Sequence, residues 1–299
     1  MSGTTSISLK SIAYKTLDFL LFSNIFIALC AVAQAQVTYF LLKADCDKHI
    51  LGILFFSTLG LYNFSMFMSR PKNPKTSKFR RVRWVEANYR LMITITLIAV
   101  LSLLVLIIFL SPASQVLLFF LGVIAISYNL PLFSLNEKRF GLRNVPGLKL
   151  FIISLIWSLS CVLLPIVELG SSQSILIAAN DTMLLSAQQF LFIAAITIPF
   201  DIRDLFQDKY NDLKTLPVIF GKEKSYLICQ FLLLGYLTLL LLFTKQINST
   251  FLALGIISIF TAWLIYKSEG NKSEYFYFLF LDGTMILQFV SLLIAGFLL

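Results

Sequence analysis

The stretch 182–208, TMLLSAQQFLFIAAITIPFDIRDLFQD, runs nineteen residues without a formal charge straight into three aspartates, Asp201, Asp204 and Asp208. An uncharged run of that length matches the ~20 residues a helix needs to cross a hydrocarbon core. The aspartates then fall where such a helix would reach water. Spacings of three and four put their carboxylates on one helical face. Three anions held together repel one another unless a cation neutralises them. Oxygen-only donors at a water-facing helix end suit Mg²⁺, which takes a few carboxylates, waters and phosphate oxygens. The same triad also fits a solvated, capped helix end, so spacing alone leaves both readings open.

The rest of the chain supports the membrane setting. Of 299 residues, 58% are hydrophobic and only 13% charged, and the mean hydropathy is +0.86. A soluble protein of this size cannot bury that much apolar surface, which implies a polytopic, all-α integral membrane protein. The polar, Ser/Thr-rich residues 1–15 lack the apolar core and small-residue cleavage site of a signal peptide and read as a short cytoplasmic tail. Cys30, Cys161 and Cys229 lie in apolar runs and Cys46 in a short loop, a pattern of neither disulfides nor metal ligation. The one histidine, His49, reads as a polar loop residue.

Measured against the length of a membrane helix, the apolar runs predict nine spans, near 16–42, 49–68, 90–110, 114–133, 148–169, 180–200, 225–243, 249–267 and 275–298. The net charge of +9 is concentrated between alternate spans. Only Lys43, Lys48 and Lys245 fall on the side opposite the other basic residues. The positive-inside rule then predicts a cytoplasmic N-terminus, an external C-terminus and cytoplasmic loops at 69–89, 134–147 and 201–224. Basic residues placed this way read as topology signals and phosphate contacts, and nucleic-acid binding is not expected. No composition break divides residues 16–299, which read as one domain. No obligate protein partner is evident.

Beyond Asp208 the sequence continues through Lys214, Thr215, Leu216 and Pro217 to Gly221. The whole string, D-I-R-D-x-x-x-D-x-x-x-x-x-K-T-L-P-V-x-x-G, resembles the second aspartate-rich motif of the UbiA-type intramembrane prenyltransferases. The resemblance implies a Mg²⁺-dependent transfer of an isoprenoid chain from a prenyl diphosphate to a lipophilic, in some members aromatic, acceptor in a bacterial plasma membrane. It implies Asp204 and Asp208 as catalytic Mg²⁺ ligands with Asp201 assisting, and Lys214 as a phosphate contact; Arg203, off the Asp face, reads either as a second phosphate contact or as a residue that snorkels or pairs with a carboxylate. Asp212 reads as a solvated turn residue. A Tyr-x-x-Pro stretch at Tyr128, followed by Arg139 and Lys149, also resembles the family and implies three further diphosphate contacts. An interfacial tyrosine and ordinary positive-inside charges would give the same pattern.

The family's first motif, N-D-x-x-D-x-x-x-D at the end of the second span, has a counterpart in which only Asn63 remains. Phe64, Phe67 and Pro71 stand at the aspartate positions. One expectation is that Arg70, with Lys72 and Lys75, neutralises the diphosphate in place of a second ion. The competing expectation is a relative that binds a lipid diphosphate, or serves as a scaffold, without turnover. A transporter is a third reading, suggested only by the number of spans. Asp18, Asn24, Gln188, Gln189 and Asp282 are polar residues within or near predicted spans, and Asp282 is a candidate acceptor contact.

Overall fold

A computed structural model describes residues 9–130, 133–135, 138–140, 145, 147–210, 213–270 and 272–297. It is helical apart from one antiparallel hairpin, β1 (Phe133–Leu135) with β2 (Lys138–Phe140), in which Ser134 faces Arg139 in register. Eight helical segments are long and apolar enough to cross a membrane, and a ninth apolar helix, Pro112–Tyr128, is shorter. The nine apolar runs thus all become helices, with ends that differ from the predicted ones for local reasons.

The first run is not one long helix. It divides into α1 (Leu9–Phe22) and α2 (Ile25–Leu42), separated by Asn24 in a left-handed conformation at φ 68°. Asparagine tolerates that region better than most side chains. α3 (Lys48–Met68) starts where the Asp47 carboxylate accepts the N–H groups of His49 (2.7 Å) and Ile50 (3.2 Å). A 3-10 turn, Pro74–Thr76, and a short amphipathic helix, α4 (Arg80–Ala87), then lead into α5 (Tyr89–Ile107). α6 (Pro112–Asn129) stops earlier than predicted, because Leu130, two residues after Tyr128 and directly before Pro131, is extended.

α7 (Leu148–Ser158), a π-helical turn (Leu159–Leu163) and α8 (Leu164–Ser172) form one span interrupted by Pro165. Proline has no N–H for the carbonyl four residues back, that of Cys161. That carbonyl instead accepts the Thr38 hydroxyl of α2 at 2.9 Å. The chain continues through α9 (Ala179–Arg203), α10 (Leu205–Tyr210), α11 (Leu216–Phe220), α12 (Lys222–Thr244) and α13 (Ser249–Lys267). A second π-helical turn (Phe276–Leu281) opens the last span, completed by α14 (Gly283–Phe297).

α9 is the inner helix, packed on α7 and α12, while α2 packs on α3 and α14. Tyr39, Leu54, Phe192, Ile198 and Leu240 are fully enclosed between these helices. Leu97, Leu101 and Leu104 of α5 and Phe119 and Phe120 of α6 face outward, as a lipid-facing surface requires. Lipid tails are as apolar as leucine, so close packing and polar links rather than transfer from water hold such helices together. One link joins three spans: Gln34 Nε2 donates to the Met285 carbonyl (2.8 Å) and to Gln288 Oε1 (2.9 Å), and Gln288 Nε2 donates to the Tyr236 hydroxyl (3.1 Å). Contacts of this type contribute about 0.6–2 kcal/mol each in a membrane.

Candidate active site

The end of α9 is shaped by two breaks. Pro199 lies one turn before its end, and Asp204 leaves helical geometry at φ −89°, ψ 6°, before α10 resumes. The three aspartates therefore do not lie on one uninterrupted helix. Turn spacing survives nonetheless, because the Asp208 N–H donates to the Asp204 carbonyl at 2.9 Å.

Asp201 and Asp204 line a cavity of about 210 Å³. Asp282 and the cations Lys149, Arg81 and Arg203 line it as well, so three carboxylates and three cations meet there. Leu21, Phe26, Ile27, Ile153, Phe200 and Phe278 supply its apolar wall. Phe26, Phe200 and Phe278 give the cavity its aromatic surface. Phe119 and Phe120 face outward, and Phe192 is enclosed against Tyr236.

Each charged group is held by a specific neighbour. Lys149, in the first turn of α7, contacts Asp201 Oδ1 at 2.5 Å, and Asp201 is only 1% exposed. Arg203 grips Asp204 with two hydrogen bonds, Nε to Oδ1 at 2.8 Å and Nη2 to Oδ2 at 3.0 Å. Its guanidinium also lies 4.9 Å from the Tyr277 ring and 5.3 Å from the Phe200 ring. Arg203 is thus fixed between a carboxylate and aromatic faces rather than extended into solvent. Asp208 is buried but outside the cavity lining, and its Oδ2 has no donor within hydrogen-bonding distance. Burial pushes the Asp208 carboxyl above its ordinary range. Lys149 opposes that rise, and Asp201 and Asp204 add to it.

Among the described residues no three carboxylates, imidazoles or thiols converge into a ready-made metal cluster. A Mg²⁺ ion that shares its coordination with phosphate oxygens nevertheless fits these residues. The donors are hard oxygens, and Asp208 retains a buried acceptor without a donor. Lys149 and Arg203 meanwhile balance the other two carboxylates.

The remaining expected contacts are dispersed. Asn63 is fully buried, and its Oδ1 accepts Asn24 Nδ2 at 2.6 Å; Asn24 lines the cavity. Arg70 lines a neighbouring cavity of about 330 Å³, and its Nη2 donates to both carboxylate oxygens of Glu86, Oε1 at 2.9 Å and Oε2 at 2.7 Å. It does not line the cavity that holds Asp201 and Asp204. Lys214 is exposed, and its carbonyl accepts the Gly147 N–H at 3.4 Å. Tyr128 is buried near the end of α6 and is not part of the cavity wall. The side chain of Arg139 and all of Asp212 lie outside the described residues.

A sequence profile of the UbiA prenyltransferase family matches residues 87–292. The chain belongs to that family. A UbiA homologue from Archaeoglobus fulgidus, in a structure bound to GPP and Mg²⁺, has the same fold at a TM-score of 0.61 and 12% identity, covering 93% of this chain and 98% of its own. An apo UbiA homologue from Aeropyrum pernix K1 gives 0.60 at 12% identity, over 91% of this chain and 96% of that one. A structure described as digeranylgeranylglyceryl phosphate synthase gives 0.56 at 16% identity, over 96% and 100%. Comparison with curated protein sequences gives no match.

For a UbiA family member, the informative departure is the cation that the sequence reading overlooked. Arg81, inside the expected loop 69–89 and given no role by the motifs, lines the cavity. Its guanidinium donates to Asn24 Oδ1 at 2.5 Å and lies 4.7 Å from the Phe278 ring centre. A signal was present: Val85, four residues on, is the buried residue of the amphipathic helix α4. That spacing turns Arg81, rather than Arg80 or Arg83, toward the interior.

Proposed function

We propose that the protein is a membrane prenyltransferase that moves an isoprenoid chain from a prenyl diphosphate to a lipophilic acceptor. The observation that carries this reading is that carboxylates, cations and aromatic rings line one cavity at the end of α9. In the reaction the bond between the allylic carbon and the diphosphate oxygen breaks, and its electron pair leaves with the diphosphate. A new bond forms between that carbon and the acceptor, and the acceptor releases a proton. Asp204 and Asp208, with Asp201, would hold Mg²⁺, which supplies charge neutralisation for the departing diphosphate. Lys149 and Arg203 bind and orient the phosphate oxygens by charge-assisted hydrogen bonds. The rings of Phe26, Phe200 and Phe278 exclude water and face developing positive charge on the allylic carbon. Asp282, in the same cavity, faces the acceptor.

We place residues 16–299 in a bacterial plasma membrane as one catalytic unit, with the cavity toward the cytoplasm, because the basic residues concentrate in the loops on that side. Purified protein supplied with labelled geranylgeranyl or farnesyl diphosphate and a lipophilic phenol should form a prenylated product. Activity that survives both Asp204→Asn and Asp208→Asn rejects these roles. A second reading, a relative that binds lipid diphosphate without turnover, draws on Phe64, Phe67 and Pro71 at the end of α3. It predicts saturable binding of the same diphosphates with no product.

A further inference from the structure

The chain places positive charge, rather than carboxylates, where the end of α3 meets the cavity. Asn63 Oδ1 is engaged by Asn24, and Asn24 Oδ1 by Arg81. The Arg81 guanidinium is thus held by a neutral amide, and among the described residues no carboxylate lies within ion-pair distance of it. Across the same ring, that of Phe278, stands Arg203, whose guanidinium is 5.4 Å from the ring centre against 4.7 Å for Arg81. Two like charges therefore lie against one aromatic ring. Burial, and then repulsion from Arg203, pushes the Arg81 guanidinium down to about 10, with Asp282 acting in the opposite direction.

Both arginines keep an unmet donor. Arg81 Nε and Arg203 Nη1 are buried with no acceptor within hydrogen-bonding distance, although both residues line the cavity. A buried charged donor without an acceptor is costly. Where a native protein keeps such a group, a bound water, an ion or a functional role accounts for it. Guanidinium groups suit phosphate oxygens in both geometry and charge.

The position of Arg81 is also enforced from outside the cavity. Glu274, just before the last span, accepts the first backbone N–H groups of α4: Arg80 N at 2.6 Å and Arg81 N at 2.9 Å. A carboxylate there completes the open end of the helix and complements its dipole. Arg80 adds an ion pair with Asp18 of α1 at 2.6 Å, and the Tyr275 hydroxyl donates to that same aspartate.

We propose that Arg81 and Arg203 form a metal-independent subsite for diphosphate oxygens, and that Glu274 is a positioning residue which holds Arg81 in it through α4. This rests on the diphosphate reading above and deepens it: one side of the ligand is met through carboxylates, the other directly by guanidinium.

The test is calorimetric titration of the full-length, detergent-purified chain with inorganic pyrophosphate, in EDTA and in Mg²⁺. Pyrophosphate should bind in EDTA. Arg81→Ala should weaken that binding by about ten- to a hundredfold, as expected for loss of a charged hydrogen bond, and Arg81→Lys by less. Glu274→Gln should weaken it a few-fold at unchanged thermal midpoint, with recovery in Glu274→Asp. Arg90→Ala, at the exposed start of α5, should leave it unchanged. Binding that disappears in EDTA, or that Arg81→Ala and Arg81→Lys leave intact, overturns the subsite. Binding in EDTA without turnover of any prenyl diphosphate would remove the transferase reading and leave the subsite standing. Turnover accompanied by binding only in Mg²⁺ would do the reverse.

Discussion

The ends of α3 and α9 meet at one cavity and bring opposite chemistry to it. α9 delivers Asp201 and Asp204 to the wall, with Asp208 buried one turn on, and Lys149 and Arg203 balance the first two. α3 stands behind the wall with an uncharged amide, Asn63, bonded to Asn24, and the cation on its side comes from a different element, Arg81 of α4. Charge in this site is therefore specified by the space as a whole, not by matching motifs. A substitution in one strip of sequence can be answered from a loop some twenty residues away.

The largest effect that would break this contrast is on the acidic side. Asp204→Asn should lower prenyl transfer by about 10²–10³-fold, the scale seen when a group stabilising transition-state charge is lost. Turnover of labelled prenyl diphosphate checks it, and an effect below tenfold would make the two helix ends equivalent. Next comes the internal balance of α9. Lys149→Met leaves Asp201 buried without its cation and should destabilise the protein by about 3 kcal/mol, read from thermal unfolding in detergent. A smaller change would mean that Asp201 takes up a proton instead. Asp208→Asn should act the other way. Replacing a buried carboxylate whose Oδ2 lacks a donor should stabilise the protein in EDTA by about 0.5–2 kcal/mol, a range typical of functional residues held at a cost. The wild type alone should recover that difference in Mg²⁺ with pyrophosphate. The smallest effect sharpens the cationic side: Arg70→Ala should change pyrophosphate affinity less than about twofold, because Arg70 is already occupied by Glu86. A larger loss would move the anion contact to the neighbouring cavity.

The helical membrane architecture was legible because runs of uncharged residues can satisfy their backbone only as helices in lipid. The end of α9 was legible as the point where an apolar span gives way to three carboxylates, although their spacing alone fits a solvated helix end as well. The break at Asn24 was not, since it depends on a left-handed residue inside an apolar run whose side chain is secured by Asn63 and Arg81. The π-helical turn before Pro165 likewise needs a partner from another helix, the Thr38 hydroxyl. Arg70 and Arg81 illustrate the same limit. Both are basic residues of the segment after α3, and their fates are set by Glu86, Asn24 and Glu274, which lie at separations from 16 to 193 residues. Local patterning carries no record of such distant pairings.

Trp84 occupies the helix that carries Arg81, and its indole packs against the rings of Phe19 and Phe22, 6.5 and 6.0 Å away. If the proposed subsite takes up an anion between the two guanidiniums, α4 would be drawn toward it and the indole would move with it against α1. The protein therefore contains its own optical gauge: filling of the cavity should register in tryptophan emission, and conversion of Trp157 and Trp263 to phenylalanine would leave Trp84 as the sole emitter.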